Sequence, residues 1–362
     1  MAEQAQGAVV HFVTGGFSGA TQVARTLVAQ ANRSGVRTHL LVLRRKRQTR
    51  QAQLDELTAQ QIPFFVVPGW SHLATIIALV KLLKRIAPRV LIAHGFSEHL
   101  WGRIAAIIAG VPVIIHVEHN SRERYTPLRL WLAKQLTKHT RWLVGVSEGV
   151  KNSLLALGFA PEKCVFVNNG IDAERFARLP VVEFSQRKNA VIMCARFARQ
   201  KDHETLIRAV AQLNHMGVKI ELALLGGGKS SLQKRAEQLV QSLGINEQVT
   251  FLGHSNQVPE LLATYQIAAL ITHYEGMPLA LVEAMAAGCA VVASNVVGVK
   301  EILALGIGVA VEAKAVDQLA QVLADLLQNP IKAEQIGNAA RAYALEHFTQ
   351  AKMLAGYEAL IK

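Results

Sequence analysis

Along the chain, short apolar runs alternate with longer segments of helical period. The runs Ala8–Thr14, Thr38–Leu43, Phe64–Val67, Val90–Ala93, Val113–Val117, Trp142–Val146 and Val165–Val167 are almost continuously apolar. Parallel strands buried on both faces have that pattern. Segments such as Thr21–Arg33 and Leu73–Ile86 lie between them and read as helices. The scheme starts again with Ala190–Cys194, Glu221–Leu225, Val249–Leu252, Ile267–Thr272, Val291–Ala293 and Gly308–Val311. Two successive βαβ series predict an α/β protein with two doubly wound, Rossmann-like domains. The pattern places them at residues 1–173 and 189–342. Pro180, Ser185 and charged residues interrupt it over 174–188, which reads as a linker. A last helix over 343–362 is expected to pack back on the first domain. Ligands bind at the carboxyl ends of such strands, so the two sheets are expected to face a cleft.

Composition narrows the class. A hydrophobic content of 51% supports large cores and excludes a disordered chain. Met1–Gln6 lacks a basic segment followed by an apolar one, so no signal peptide is expected there. The longest apolar run, Ile104–Ile115, contains Gly110 and Pro112 and is too short to span a bilayer. Cys164, Cys194 and Cys289 are widely spaced, which suits neither a disulfide framework nor a zinc site. The cytoplasm is the expected compartment. Charge is unevenly shared: residues 1–173 carry 21 Lys/Arg against 9 Asp/Glu, and 174–362 carry 18 against 17. A basic first half points to an anionic membrane surface, nucleic acid or an anionic acceptor. The run Arg44–Arg50 is basic, and Arg122–Trp142 interleaves basic residues with Tyr125, Trp131 and Trp142. Such mixtures suit the inner face of a membrane, as a peripheral contact. A nucleic-acid reader is disfavoured, because zinc spacing, an RNP-type aromatic motif and an evident reading helix are missing.

The densest chemical signal is Tyr274-Glu275-Gly276-Met277-Pro278-Leu279-Ala280-Leu281-Val282-Glu283. Glu275 follows a strand-like run, Gly276-Met277-Pro278 turns, and Leu279–Ala287 reads as a helix stopped by Gly288. Turn amides and a helix N-terminus make a seat for an anion. The two carboxylates beside it suit neutral hydroxyls, so a phosphate-linked sugar is the expected ligand. Thr14-Gly15-Gly16-Phe17-Ser18-Gly19-Ala20 turns from the first strand into a helix and lets backbone approach a ligand near Gly16. It has Thr14 where a dinucleotide fingerprint has its first glycine. Arg44 and Arg45 end the second strand, so a dinucleotide enzyme that uses arginine there stays open. Gly226-Gly227-Gly228-Lys229-Ser230 resembles the end of a P-loop, but Ala223 stands at its first glycine, and it reads as a turn after a strand. Arg196 and Lys201 flank the turn after Ala190–Cys194 and could neutralise a departing diphosphate. No D-x-D triplet occurs, so metal-independent chemistry is expected. His116 and His119 end another strand; His119, at the strand–loop junction, is the better placed to meet a ligand.

The Glu275/Glu283 spacing resembles the E-x7-E motif of retaining, family 4-type glycosyltransferases of the GT-B fold. The resemblance runs on through the Gly16 turn, Val146-Ser147, Asn169-Gly170-Ile171-Asp172, Arg196 and Lys201. It implies transfer, with retention, from a nucleotide-sugar, expected to be UDP-linked, to a hydroxyl of a glycan or lipid-linked acceptor. The donor would be a substrate, with no cofactor and no metal. The resemblance gives the diphosphate to Arg196 and Lys201, the sugar to Glu275 and the backbone of Gly276, Met277, Pro278 and Leu279, and the ribose to Glu283. It leaves the Gly16 loop near the donor diphosphate and the acceptor, and His119 near the sugar or the acceptor. A sugar-nucleotide epimerase of similar architecture is the alternative within enzymes.

Overall fold

The computed structural model describes residues 7–362 except 17, 48, 96, 97, 123, 124 and 181. The reading of Met1–Gln6 therefore lies outside the described residues. So do Phe17 in the glycine turn, Gln48, Glu123 and Arg124 in the basic segments, and Val181.

The chain forms two compact units, residues 1–170 with 350–362, and residues 171–349. The first runs β1 (Val9–Thr14), α1 (Gly19–Ser34), β2 (His39–Arg44), α2 (Gln51–Ala59), β3 (Phe64–Val67), α3 (His72–Ile86), β4 (Val90–His94), α4 (Glu98–Ala109), β5 (Val113–Glu118), α5 (Pro127–Leu136), β6 (Trp142–Gly145), α6 (Glu148–Ala156) and β7 (Cys164–Phe166). Its seven strands pair in parallel in the order β3-β2-β1-β4-β5-β6-β7. One apolar layer joins Val10, Phe12, Leu91 and Ala93 to Leu79, Leu83 and Ala105. The opposite layer joins Val13, Leu41 and Leu43 to Ala24, Val28 and Leu57. Because both faces are covered, the strands read as continuous apolar runs instead of alternating ones.

The second unit runs α7 (Ala173–Ala177), β8 (Lys188–Cys194), α8 (His203–His215), β9 (Leu222–Leu225), α9 (Ser230–Ser242), β10 (Val249–Gly253), α10 (Val258–Leu262), β11 (Tyr265–Leu270), α11 (Leu279–Ala286), β12 (Ala290–Ser294), α12 (Lys300–Leu303), β13 (Val309–Val311), α13 (Val316–Gln328) and α14 (Pro330–His347). Its parallel sheet has the order β10-β9-β8-β11-β12-β13. Side-chain caps start several helices: Ser147 accepts from Val150 N at 3.2 Å, Asp172 from Arg175 N at 3.2 Å and Asp202 from Thr205 N at 3.2 Å.

Two segments differ from the sequence reading. Residues 174–188 are no spacer: most of α7 and a short turn at Phe184–Gln186 lie there, and Phe176 and Phe184 are buried. Arg187 donates to the carbonyls of Ala287 and Gly288, each at 3.0 Å, and fastens the stretch to the second unit. Residues 343–347 finish α14 in the second unit, while the last helix, α15 (Gln350–Ile361), belongs to the first. There Gln30 donates to Gln350 at 2.6 Å.

Arg44 is a further correction. The sequence reading placed it in the basic run Arg44–Arg50, as part of a membrane-facing surface, but it is 4% exposed. Its guanidinium reaches Thr75 Oγ1 at 3.2 Å, Glu98 Oε1 at 3.4 Å and His72 Nδ1 at 2.9 Å. Lys46 also meets Glu98, at 2.8 Å. Arg45 and Arg47 are exposed. The strand's last side chain is thus an internal tie, and the solvated charge begins one residue later.

Candidate active site

The strand order of each sheet reverses between its first and fourth strands, β1/β4 and β8/β11, and loops leaving such strands carry ligand contacts in doubly wound folds. In the second unit the loops after β8 and β11 are laced together. Lys201 and Thr272 form an antiparallel bridge. Asp202 N donates to Ile271 O at 3.0 Å and His273 N to Gln200 O at 2.9 Å. Gln200 Nε2 donates to Tyr274 O at 2.7 Å. Thr272 N is received by Ser294 Oγ at 2.9 Å, from the end of β12.

This lacing brings together two residues that lie 74 apart in sequence. Lys201 Nζ donates to Glu275 Oε1 at 2.5 Å, and Thr272 Oγ1 donates to the same oxygen at 2.9 Å. Glu275 is buried, and the Lys201 side chain is 13% exposed. An ammonium and a carboxylate at this distance neutralise each other, so Lys201 is not a free cation awaiting phosphate. It keeps two further N–H donors for a ligand. Arg196, by contrast, is exposed and makes no hydrogen bond or ion pair to the described residues. No contact among those residues ties it to Lys201 or Glu275.

Gly276, Met277 and Pro278 are buried and lead directly into α11. Pro278 is the N-cap residue, with φ −76° and ψ 113°, and Leu279 is the first helical position. The first amides of α11 thus begin just past Glu275. Gly298 holds this turn in place: a Cβ there would lie 1.8 Å from Gly276 O, and its φ of +81° already suits only glycine well. Gly226 and Gly228 are explained the same way. Added Cβ atoms would fall 2.2 Å from Ala195 O and 2.6 Å from Phe197 N, so the triple-glycine turn packs its backbone on the loop after β8.

Glu283 projects from α11 and is partly exposed. Its carboxylate accepts no hydrogen bond from the described residues. Burial raises its pKa from 4.5 to about 7, and the charge of Arg175 opposes that rise. A carboxylate short of donors would be satisfied by a ligand's hydroxyls.

In the first unit, Gly16 N donates to Thr14 Oγ1 at 3.3 Å in the turn after β1. Gly15 beside it approaches β2 closely: its N donates to Arg44 O at 2.8 Å. His116 lies inside β5, fully buried, and its ring stacks on His99 at 3.9 Å. His119 follows β5 and is partly exposed, with Nε2 3.0 Å from His94 Nδ1. Burial holds its pKa down to about 3, so it is a neutral imidazole at pH 7. Val146-Ser147 and Asp172 serve as entries to α6 and α7.

Sequence reasoning missed Thr272, Ser294 and Gln200, which shape the Glu275 loop, and His94, which touches His119. Ser294 and His94 end β12 and β4, Gln200 and Thr272 lie in the loops after β8 and β11, and nothing local paired any of them.

Two parallel Rossmann-like sheets with these strand orders define the GT-B class. Family models cover most of the chain: "Glycosyltransferase Family 4" over residues 17–175 and "Glycosyl transferases group 1" over 176–343. The chain belongs to glycosyltransferase family 4. It is 33% identical over 310 residues to D-inositol 3-phosphate glycosyltransferase 1 of Catenulispora acidiphila, covering 75% of this chain and 72% of that one. It is 26% identical over 242 residues to the Escherichia coli UDP-Gal:alpha-D-GlcNAc-diphosphoundecaprenol alpha-1,3-galactosyltransferase, a match covering 62% of each chain. Among solved structures, Anabaena HepE in complex with UDP superposes with a TM-score of 0.85 at 20% identity, over 97% of this chain and 98% of the other.

Proposed function

We propose that the chain transfers a hexosyl or N-acetylhexosaminyl group from a UDP-sugar to a hydroxyl of a lipid-linked or polysaccharide precursor. Transfer proceeds with retention and without a metal. The observation that carries the reading is the arrangement around the start of α11: Lys201 and Thr272 on Glu275, the first α11 amides beyond it, and Glu283 without a donor among the described residues. The amides and the positive helix end receive the diphosphate. Exposed Arg196 and the spare donors of Lys201 stabilise the charge that grows on it as the glycosidic bond breaks. Glu283 accepts from the ribose hydroxyls, and Glu275 from the sugar. His119, neutral, contacts a hydroxyl of the sugar or acceptor. Relatives support the chemistry: the name of the Escherichia coli enzyme specifies a UDP-galactose donor and a diphosphoundecaprenol acceptor.

A peripheral stance at the inner face of the cytoplasmic membrane fits the first unit's surface. No helix among the described residues is long and apolar enough to cross a bilayer. Helix α5 exposes Leu128 and Trp131, at 73% and 57%, beside exposed Arg129 and Lys134. Aromatic and basic side chains together suit an anionic interface.

A thermal-shift comparison of UDP, GDP and ADP tests the donor, since a ligand stabilises the native state it binds. UDP should raise Tm most, with or without EDTA, and Glu283→Ala should lose the shift. An equal response to all three nucleotides, or a shift abolished by EDTA and restored by Mg2+, would overturn the reading. Conversion of UDP-glucose to another UDP-hexose with no acceptor present would identify an epimerase.

A further inference from the structure

Four imidazoles and one carboxylate form an unbroken hydrogen-bonded chain through the first unit. His119 Nε2 lies 3.0 Å from His94 Nδ1, and His94 Nε2 lies 3.0 Å from His11 Nδ1. His11 Nε2 lies 2.9 Å from His39 Nδ1, and His39 Nε2 lies 3.1 Å from Glu358 Oε1 on α15. His39 opens β2, His11 lies inside β1, His94 ends β4 and His119 follows β5. These strands are consecutive neighbours, so the chain crosses the sheet on a diagonal. His11, His39 and His94 are all fully buried.

Every link needs one donor and one acceptor, and a neutral imidazole supplies one of each. The terminal group therefore decides the direction of the whole chain. An ionised carboxylate only accepts, so His39 carries its proton on Nε2 and offers a bare Nδ1 to His11. The same rule passes to His94 and then to His119. His119 is left with its proton on Nε2, and its Nδ1 makes no hydrogen bond to the described residues. Charging a ring inside the chain is opposed by burial, which pushes His11 and His94 well below the ordinary histidine range. At His39 burial also dominates, and Glu358 partly offsets it.

We propose that Glu358, acting through His39, His11 and His94 as positioning residues, locks His119 in the Nε2–H tautomer. His119 then meets its ligand as a hydrogen-bond acceptor. The matching ligand group is a hydroxyl; a phosphoryl oxygen brings no proton and is refused. This deepens, and rests on, the assignment of His119 to the sugar or acceptor.

The test is a two-bond 1H–15N correlation on the full chain labelled at histidine, with His119 assigned from its loss in His119→Gln. The Nε2–H pattern at His119, His94, His11 and His39 is expected at pH 7.5. Glu358→Lys places a donor at the chain's end and should turn His119 to Nδ1–H. His11→Phe should abolish that response. Glu358→Gln, whose amide can donate or accept, should populate both tautomers and serves where the lysine variant fails to fold. An Nδ1–H tautomer in the wild type overturns the proposal, and so does an unchanged His119 in both Glu358 variants. The functional assignment is read separately by adding UDP, UDP-glucose or octyl glucoside. A His119 Nδ1 shift with UDP-glucose alone marks a donor-sugar hydroxyl, and one with octyl glucoside an acceptor hydroxyl. A locked tautomer blind to all three probes removes His119 from the site.

Discussion

Replacing Glu283 by Gln should stabilise the protein, increasingly so as pH rises. The carboxyl is raised from 4.5 to about 7 by burial. The folded state therefore binds its proton more tightly than the unfolded chain does. Below about pH 4.5 both states are protonated and Glu283 costs nothing. As pH rises toward 7 the unfolded chain ionises freely while the folded one resists, and stability is lost. Above 7 the loss is complete. At 1.36 kcal/mol per pH unit, the gap between the two values corresponds to about 3 kcal/mol. Glutamine keeps the shape and lacks the titration. The difference between Glu283→Gln and wild type should thus grow from about 1 kcal/mol at pH 5 to about 3 kcal/mol at pH 8. Urea unfolding of both proteins at several pH values measures it. Taking the difference cancels every other titrating group. Saturating UDP should shrink the gap, because ribose hydroxyls would satisfy the wild-type carboxylate. A difference that stays flat with pH would mean that Glu283 titrates alike in both states and is not raised by burial.

Three further outcomes are expected. Lys201→Met strands a buried carboxylate and should cost about 3–5 kcal/mol, most of it recovered in Lys201→Met/Glu275→Leu, as read by urea midpoints. No recovery in the double variant would mean the two groups act independently. Arg44→Gln should destabilise by on the order of 3 kcal/mol, because it empties a buried guanidinium site. Arg45→Gln/Arg47→Gln should instead leave Tm alone and weaken sedimentation with acidic vesicles. Acid should unfold the protein steeply. His11, His94, His99 and His116 are buried and held well below 6.5, so as pH falls under 6.5 the unfolded chain takes up protons that the native state refuses. Each adds up to about 1.36 kcal/mol per pH unit to the slope. His116→Phe should flatten the acid limb, and an unchanged slope would show that His116 is already charged.

Features carried by neighbours along the chain are legible without any fold. Apolar runs such as Leu40–Leu43 and Val191–Met193 mark strands covered on both faces, and their repetition marks two doubly wound units. Glu275 to Glu283 shows its turn and helix because Gly276, Pro278 and Leu279 act locally on the backbone. The tertiary structure decided the pairings. A parallel sheet sets side by side strands that are far apart in sequence, so His11, His39, His94 and His119 become one hydrogen-bonded row with Glu358 at its end. Nothing adjacent to any of them announces a partner. Lys201 reads in the sequence only as one of two cations after a strand, and the loops after β8 and β11 lay it on Glu275. Arg44 reads with the basic run that follows it, yet it is the last residue of a strand buried on both faces, where Thr75 and Glu98 receive its guanidinium. A charged residue's role follows from what the fold places within about 3 Å of it, and burial makes that partner obligatory.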